Sequence, residues 1–230
     1  MTATIIEKGA KLIAPYINLY TAPTPNGYKI IILLELLGLD YNIQLINIMK
    51  NVQKEDWYLK MNPNGRIPTL LDVNKDGEET VISESGAILM YLADKYDKSR
   101  KFSYEIGTKN YYLDLEWLMF QMAGVGPMKG QCHHFALFAK EKIPYAIERY
   151  TNETRRLYGV LEERLIRNGT GFLVGDHIGL ADIATYPWVA GTYIDLGLKD
   201  FKHLTAWVDK IGAIPEVAKS MTLITRDQLK

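Results

Sequence analysis

The spacing of apolar positions in the N-terminal part of the chain predicts alternating strands and helices. Residues 12–20 are rich in β-branched and aromatic side chains and predict a first strand. The apolar run at 30–37, stopped by Gly38, predicts a helix whose N-cap is Asn26. Apolar side chains alternate in residues 41–48, which predicts a second strand. Strand, helix and strand in close succession predict a parallel βαβ unit.

A hairpin and another helix follow this unit. Residues 51–61 predict a short polar helix, and strands are predicted at 67–73 and 80–82. The Asp-Gly pair between those two strands is a strong hairpin signal. After Ser85 the apolar residues recur at the spacing of a helix packed on a sheet. The order βαβ and then ββα predicts a four-stranded mixed sheet with helices on its faces, which is a thioredoxin-like architecture.

The second half of the chain has a helical pattern throughout. Residues 97–107 are charged and contain two serines and a glycine, and no convincing period-two alternation follows them. The longest helix is predicted at 143–167, and further helices begin near Leu180 and Leu204. We therefore predict an α/β plus all-α protein with a thioredoxin-like domain at 1–98, a linker at 99–107 and an all-helical domain at 108–230.

Two turns of the first domain carry the candidate chemistry. One covers residues 62–70, where the Ile67-Pro68 bond at the start of a strand is a candidate for the cis isomer. The other covers residues 83–88, where a strand ends and a helix begins. We expect the fold to hold these two turns beside each other.

Together the two turns could bind a small peptide. The Glu84 carboxylate could accept a primary ammonium group, while Ser85 and the first amides of its helix could donate to a carboxylate. The main chain of Ile67 could pair with the peptide as a strand does, and Gln53 or Arg66 could meet an anion at its far end. The alternative is that Ser85 is a plain N-cap and Glu84 a surface charge.

Composition and charge narrow the function classes. Lys plus Arg and Asp plus Glu both number 27, so no net field favours nucleic acid or an anionic membrane, and we predict neither as a partner. No apolar run is long enough for a membrane span, and the first residues show no secretory signal. A single cysteine, Cys132, fits a reducing compartment, so we expect a cytoplasmic protein.

Cys132 is followed directly by His133 and His134, but this cluster does not predict a metal site. Adjacent residues of a helix point in different directions, and neither a Cys-x-x-Cys nor a His-x-x-x-His spacing occurs. We expect no metal cofactor and interpret Cys132 as a buried structural thiol.

The turns also resemble a known family. The segment Asn62-Pro63-Asn64-Gly65-Arg66-Ile67-Pro68, followed by Glu84-Ser85-Gly86-Ala87-Ile88, is similar to the glutathione site of the cytosolic glutathione transferases. Further blocks resemble the fungal subgroup related to the yeast nitrogen-regulation prion protein and the bacterial nu class. These blocks are residues 24–27, 126–128, 130–131, 133–135, 148–151, 155–156 and 158–160.

The resemblance implies a role for each site residue. Glu84 and Ser85 would hold the γ-glutamyl end of glutathione, and Ile67, beside Pro68, would pair through its main chain with the cysteinyl unit. Arg66 and Gln53 would lie beside the tripeptide. One departure from the family pattern concerns the helix that contains Asp182: it usually begins with Ser or Thr, but Gly179 stands there. We therefore expect slightly lower stability.

The resemblance places thiolate stabilisation in the loop after the first strand. A free thiol with a pKa near 8.5 is mostly protonated at neutral pH, so donors or positive charge must favour the thiolate. The candidates are Asn26, through its amide, and Thr24, through its hydroxyl, beside a helix N-terminus. Two alternatives are that Asn26 is only a helix cap and that Tyr20, at the strand end, supplies a phenol.

The resemblance also implies a reaction class. Reduction of disulfides or peroxides by glutathione, the co-substrate, is favoured over conjugation of electrophiles. The second substrate is expected in a cleft between the domains, near Gly126, Pro127, Gln131 and Phe135. The family leads us to expect a homodimer. The alternative is a non-catalytic protein that uses the same fold for regulation or ligand binding.

Overall fold

A computed structural model describes residues 2–191 and 193–229 in two compact units. Among these residues, the first unit contains 2–98 and 215–229, and the second contains 99–191 and 193–214.

The first unit contains a five-stranded mixed sheet. Its strands are β1 (Ala3–Ile6), β2 (Tyr16–Thr21), β3 (Tyr41–Leu45), β4 (Thr69–Val73) and β5 (Glu79–Ser83). They lie in the order β1-β3-β2-β4-β5. The pairs β1–β3 and β3–β2 are parallel, and β2–β4 and β4–β5 are antiparallel. The predicted thioredoxin-like arrangement is confirmed, but the prediction of four strands is wrong because β1 adds a fifth at the edge.

Helices cover this sheet. They are α1 (Pro25–Leu37), α2 (Asp56–Met61), α3 (Ser85–Tyr96) and α9 (Pro215–Leu223). Single 3-10 turns lie at Ile48–Lys50, Val52–Lys54 and Arg226–Leu229. Helix α1 packs against both α3 and α9, so its residues 30–34 are fully buried. Burial of these five branched side chains makes α1 the centre of the apolar core of this unit.

The C-terminal segment belongs to the first unit, although the sequence assigned it to the helical domain. The Lys219 ammonium of α9 lies 2.6 Å from the carboxylate of the buried Glu35 on α1. The Tyr28 hydroxyl donates to the main-chain oxygen of Ile224. These contacts tie residues 215–229 to α1.

The second unit is helical. It contains α4 (Lys109–Phe120), α5 (Gly126–His133), α6 (Pro144–Asn168), α7 (Leu180–Ala190) and α8 (Lys202–Gly212). Two π-helical turns lie at Gln121–Val125 and His134–Phe138, and a 3-10 turn lies at Leu198–Asp200. No strand occurs in its described residues, 99–191 and 193–214, which agrees with the predicted all-helical domain. The predicted long helix corresponds to α6.

The segment predicted as a linker packs within the second unit. Tyr104 is buried, and its hydroxyl donates to the main-chain oxygen of Val174 at 2.7 Å. Its ring also lies 4.5 Å, centroid to centroid, from that of His177. These contacts hold residues near Tyr104 against the loop that precedes α7.

A carboxylate on α4 caps the start of α7, where the sequence has Gly179 in place of Ser or Thr. Asp114 accepts hydrogen bonds from the amides of Leu180 and Ala181 at 3.2 and 3.0 Å. Asp182 accepts from the Gly179 amide at 3.1 Å. A Cβ at position 179 would lie 2.6 Å from Asp114 Oδ1. Glycine leaves room for the Asp114 carboxylate, which replaces the missing side-chain cap.

Candidate functional site

The strand register brings four chain segments to one edge of the sheet. Tyr20 of β2 pairs with Thr69 of β4, and Thr69 pairs with Ser83 of β5. On the other side of β2, Thr21 pairs with Leu45 of β3. Strands β2, β3 and β5 therefore end where β4 begins, and the segments attached at these points lie at the same edge.

All the residues predicted to bind glutathione or to stabilise its thiolate belong to those segments. Thr24 and Asn26 follow β2, Gln53 follows β3, Arg66, Ile67 and Pro68 precede β4, and Glu84 and Ser85 follow β5. The expectation that the two turns lie side by side agrees with the Thr69–Ser83 pairing.

The turn before β4 is held by Asn62, which the sequence did not single out as a functional residue. Its carboxamide oxygen accepts from the Asn64 amide at 3.1 Å. Its Nδ2 donates to the Arg66 main-chain oxygen at 2.8 Å and to Thr69 Oγ1 at 3.2 Å. The Tyr58 hydroxyl donates to the same Arg66 oxygen at 2.9 Å. Asn62 is buried, so these bonds fix the main chain that leads to Ile67.

Gly65 and Pro68 shape the same turn. Gly65 has a φ of +59°, and a Cβ there would lie 2.8 Å from the main-chain oxygen of Gln53. The Ile67-Pro68 bond is cis, as the sequence suggested. The Arg66 side chain is exposed, where it can reach an anion at the sheet edge.

The second turn places a carboxylate and a hydroxyl at the start of α3. Ser85 is the first residue of the helix and is buried, while Glu84 occupies the N-cap position and is exposed. The reading of Ser85 as a plain N-cap is therefore wrong. Glu84 has a φ of +70°, a left-handed conformation that costs a non-glycine residue roughly 1–3 kcal/mol and that often marks functional sites. Its Oε1 lies 3.5 Å from Asn64 Nδ2 on the neighbouring turn.

Gln53 presents an unsatisfied acceptor at this edge. Its Nε2 donates to the main-chain oxygen of Ile48 at 3.3 Å. Its Oε1 is buried and has no hydrogen-bond partner among residues 2–191 and 193–229. A buried carboxamide oxygen without a donor is costly, so a ligand amide at this point would be stabilising.

The start of α1 differs from the prediction in one respect. Thr24, not Asn26, is the N-cap: its Oγ1 accepts from the Gly27 amide at 3.2 Å, and the helix begins at Pro25. A Cβ at Gly27 would overlap the Ala22 carbonyl oxygen and Thr21 Oγ1, so only glycine allows this tight entry into the helix. Asn26 lies in the first turn, half-buried, where the helix carries partial positive charge.

Tyr20, the alternative thiolate donor, lies in an apolar cluster. It is 8% exposed, packs with Ile46 and Tyr58, and lies edge-on to Tyr58 with 6.3 Å between ring centroids. Burial raises the pKa of its phenol, against the opposing effect of a hydrogen bond with Asn18. Which of Tyr20, Thr24 and Asn26 stabilises the thiolate stays a prediction.

The four residues predicted near the second substrate lie on one helical stretch of the second unit. Pro127 and Gln131 are one turn apart on α5, and both are exposed. Phe135 is one further turn along and stacks on Tyr150, with the rings 5.6 Å apart and nearly parallel. Gly126 is buried. The spacing places Pro127, Gln131 and Phe135 on one helix face, and their role stays a prediction.

Cys132 is fully buried in this stretch, and its Sγ lies 3.6 Å from Thr151 Oγ1. His133 is buried and His134 exposed, so the two imidazoles point in different directions. Within residues 2–191 and 193–229, no group of three or more His, Cys, Asp or Glu side chains could hold a metal ion. None of the helices formed by these residues is long and apolar enough to cross a membrane.

Comparisons with known proteins give the family. Residues 24–95 match the family model described as glutathione S-transferase, N-terminal domain, and residues 127–215 match the glutathione S-transferase C-terminal domain. The chain is 41% identical over 208 residues to the Escherichia coli disulfide-bond oxidoreductase YfcG, covering 89% of this chain and 94% of that protein.

Two solved structures are similar along almost their whole length. A glutathione transferase homologue from Lodderomyces elongisporus, solved with two GSH per subunit, has 50% identity and a TM-score of 0.85, covering 90% of this chain and 98% of its own. The glutathione transferase URE2P6 from Phanerochaete chrysosporium, solved with oxidised glutathione, has 40% identity and a TM-score of 0.85, covering 94% and 99%. These relatives confirm the predicted subgroup. The chain therefore belongs to the glutathione S-transferase family.

Proposed function

We propose that this chain binds glutathione in its first unit and uses the glutathione thiolate to reduce disulfides or peroxides. The observation that carries the proposal is the strand register, which gathers Glu84, Ser85 and the main chain of Ile67 with the Thr24–Asn26 loop. A ligand with a free α-amino acid end and an extended peptide segment matches these groups, and glutathione has both.

Each part of glutathione has a partner in this arrangement. Glu84 accepts from the γ-glutamyl ammonium, and Ser85 with the first amides of α3 donates to the neighbouring carboxylate. Ile67 pairs with the cysteinyl main chain. Gln53 and Arg66 lie along the tripeptide, where the unpaired Gln53 Oε1 can accept from a peptide amide.

The thiol then lies near the start of α1. A donor from Asn26 or Thr24, together with the partial positive charge of the helix end, lowers the pKa of the thiol toward neutrality. The protein need only hold and ionise glutathione, because the sulfur chemistry belongs to the co-substrate.

Disulfide reduction proceeds by two thiol–disulfide exchanges. The glutathione thiolate attacks one substrate sulfur, the S–S bond breaks, and the second sulfur leaves as a thiolate that takes up a proton. A second glutathione thiolate attacks the mixed disulfide, forms glutathione disulfide and releases the remaining substrate thiol. With a peroxide, the thiolate attacks one oxygen and the O–O bond breaks, giving an alcohol and a sulfenic acid, which condenses with a second glutathione to glutathione disulfide and water.

The relatives support reduction over conjugation. The Escherichia coli relative is named a disulfide-bond oxidoreductase, one structural neighbour was solved with two GSH per subunit, and the other with oxidised glutathione. We propose weaker conjugation of electrophiles, a second-substrate site at Gly126, Pro127, Gln131 and Phe135, and a homodimer. A cytosolic location suits the single buried cysteine, which is typical of a reducing compartment.

Retention on glutathione-agarose, followed by turnover assays, tests the proposal. The substrates are hydroxyethyl disulfide, cumene hydroperoxide and chlorodinitrobenzene, each with glutathione. We expect retention and faster turnover of the disulfide or the peroxide than of the aromatic electrophile. Retention without turnover of any substrate would favour a non-catalytic binding protein. Loss of retention would contradict the glutathione site itself.

A further inference from the structure

Lys29 is a buried lysine at the centre of the first unit. It lies on α1 directly before the fully buried residues 30–34, and only 1% of its surface is exposed. Lysine is almost never fully buried unless its ammonium group has polar partners. Its position therefore calls for a polar group at the end of its side chain.

That group is part of the candidate glutathione site. Lys29 Nζ donates to Ser85 Oγ at 3.2 Å, and Ser85 is itself buried. A serine hydroxyl has one hydrogen to donate and can accept at its lone pairs. When Oγ accepts from an ammonium, the O–H bond is polarised and its hydrogen becomes a better donor.

The charges around Lys29 suit the arrival of an anion. Burial lowers the pKa of Lys29 to about 7, and the nearby Glu84 carboxylate opposes this effect. Further along α1, the buried Glu35 carboxylate is already bound by the Tyr41 hydroxyl and by Lys219 of α9. A carboxylate bound by Ser85 would add negative charge near Lys29 and favour its ammonium form.

Building on the proposed function, we propose that Lys29 is a positioning residue of the glutathione site. It orients the Ser85 hydroxyl and supplies positive charge beneath the subsite for the α-carboxylate of the γ-glutamyl unit. The same helix carries Thr24 and Asn26 at its start, so α1 serves both the thiol and the far end of the tripeptide.

Three ligands separate this role from a purely structural one. They are glutathione, glutaryl-Cys-Gly, which lacks the amine, and 4-aminobutanoyl-Cys-Gly, which lacks the α-carboxylate.

Calorimetric titration compares the unmodified protein with Lys29→Met, which removes the charge and keeps most of the volume. We expect Lys29→Met to weaken glutathione and glutaryl-Cys-Gly roughly 10- to 100-fold, the range of a lost hydrogen bond to a charged group. The affinity for 4-aminobutanoyl-Cys-Gly should change less than about two-fold, because this ligand has no α-carboxylate for Ser85 and Lys29 to stabilise.

Lys95→Met is the matched control. Lys95 lies on α3, and its ammonium is 2.8 Å from the buried Asp72 carboxylate, at the other end of the helix from Ser85. Lys95→Met removes the charged partner of a buried carboxylate in the same unit, and it should leave the relative affinities of the three ligands unchanged. Ser85→Ala provides a second check, since the Lys29→Met effect on glutathione should be smaller in that background, where only the charge of Lys29 can still act.

The outcomes separate this inference from the proposed function. If the unmodified protein binds no glutathione, both fail. If it binds glutathione and Lys29→Met binds it equally tightly, or loses all three ligands in equal proportion, Lys29 is not a positioning residue.

A measurement on the unmodified protein covers the case in which Lys29→Met does not fold. Titration of S-methylglutathione near neutral pH, in buffers of different ionisation enthalpy, should show proton uptake, because this ligand has no thiol proton to release. A net release of protons on binding would contradict the role of Lys29, because a bound carboxylate must favour its ammonium form.

Discussion

At the residue scale, three side chains are candidates to stabilise the glutathione thiolate. Asn26 lies in the first turn of α1, where partial positive charge and an amide donor coincide. Thr24 is occupied as the N-cap, accepting from the Gly27 amide, although its hydroxyl hydrogen can still donate. Tyr20 lies against Tyr58 and Trp57, and its raised pKa makes it a weaker acid.

Replacing Asn26 therefore has a clear expected effect. Asn26→Ala should raise the thiol pKa of bound glutathione by about one unit, the effect of losing one hydrogen bond to the thiolate. The ultraviolet absorbance of the thiolate, followed across pH, measures it. Tyr20→Phe is the control and should leave the thiol pKa unchanged. If the thiol pKa rises in Tyr20→Phe and does not change in Asn26→Ala, Tyr20 and not Asn26 stabilises the thiolate.

The sequence named the residues proposed to contact glutathione but missed two buried polar residues that bond to these turns, Asn62 and Lys29. Glu84, Ser85, Arg66 and Gln53 stand in turns beside predicted strand ends, where local patterns are informative. Lys29 has a partner that only folding brings near, because Lys29 and Ser85 are 56 residues apart. The partners of Asn62 lie within seven residues of it, but no sequence pattern shows that its side chain turns back to bond them. The only sequence feature that points to a buried Lys29 is its position directly before the apolar run 30–34, and a surface lysine can occupy the same position.

At the scale of elements, the turn before β4 depends on one side chain. Asn62→Ala removes hydrogen bonds to Asn64, Arg66 and Thr69 and should cost about 2–4 kcal/mol of stability, because three hydrogen bonds of one buried side chain are lost together. Glutathione affinity should fall with it, since the turn positions Ile67. Urea unfolding and calorimetric titration measure the two effects.

Asn64→Ala is the control for that variant. Asn64 is exposed, and its side chain donates a weak hydrogen bond to Glu84 Oε1 at 3.5 Å, so we expect the free energy of unfolding to change by no more than about 0.5 kcal/mol. Equal destabilisation by Asn62→Ala and Asn64→Ala would contradict the role given to Asn62.

At the start of α7, the structure and the sequence predict opposite effects of Gly179→Ser on stability. Gly179→Ser restores the usual cap residue, yet its Cβ would crowd Asp114 Oδ1, so we expect a loss of about 1–3 kcal/mol. In an Asp114→Ala background the nearest remaining neighbour of the Cβ is the Tyr104 ring at 3.3 Å, and the α7 amides lack their acceptor, so the same change should stabilise the protein. Thermal unfolding of the unmodified protein, the two single variants and the double variant completes the cycle. Stabilisation by Gly179→Ser in the presence of Asp114 would show that the carboxylate is not the cap.

Helices and strands were more predictable than their ends. The amphipathic pattern of α6 located this helix, because burial of one helix face fixes the spacing of its apolar residues. The Asp-Gly pair located the hairpin, because this pair favours a tight turn between two strands. The N-cap of α1 was misplaced by two residues, since Thr24 and Asn26 are both good caps and tertiary packing at Gly27 decides between them. Strand β1 was missed because it is short and lies at the sheet edge, so alternation over Ala3–Ile6 is weak.

At the scale of the whole molecule, stability should depend on pH through the carboxyls at α7. Burial raises the pKa of Asp114 to about 7 and that of Asp182 to about 6. The folded state then holds protons that the unfolded state has released, so these groups stabilise the protein most at acidic pH and their contribution is lost as pH rises through 6 and 7.

Asp114→Asn tests this dependence. Asparagine keeps a carboxamide oxygen that can accept from the α7 amides but cannot ionise. Urea unfolding at about pH 5 and pH 8 measures the effect. The free energy of unfolding of Asp114→Asn should fall less between these two pH values than that of the unmodified protein. Identical pH profiles for the two proteins would contradict the raised pKa of Asp114.

The assignment of the C-terminal segment also belongs to the whole molecule. The ion pair between Glu35 and Lys219 joins positions 184 residues apart, and no local pattern reports such a contact. The sequence could divide the chain by composition near residue 98, but it could not show that the last helix packs on the first.

The central claim is that the two turns form one glutathione site, and calorimetric titration of Glu84→Gln tests it most directly. Glutamine keeps the size of the side chain and removes the charge that accepts the γ-glutamyl ammonium. We predict that the unmodified protein binds glutathione, that Glu84→Gln binds it roughly 10- to 100-fold more weakly, and that both bind glutaryl-Cys-Gly, which has no ammonium, equally. Equal affinity of the two proteins for glutathione would contradict the account.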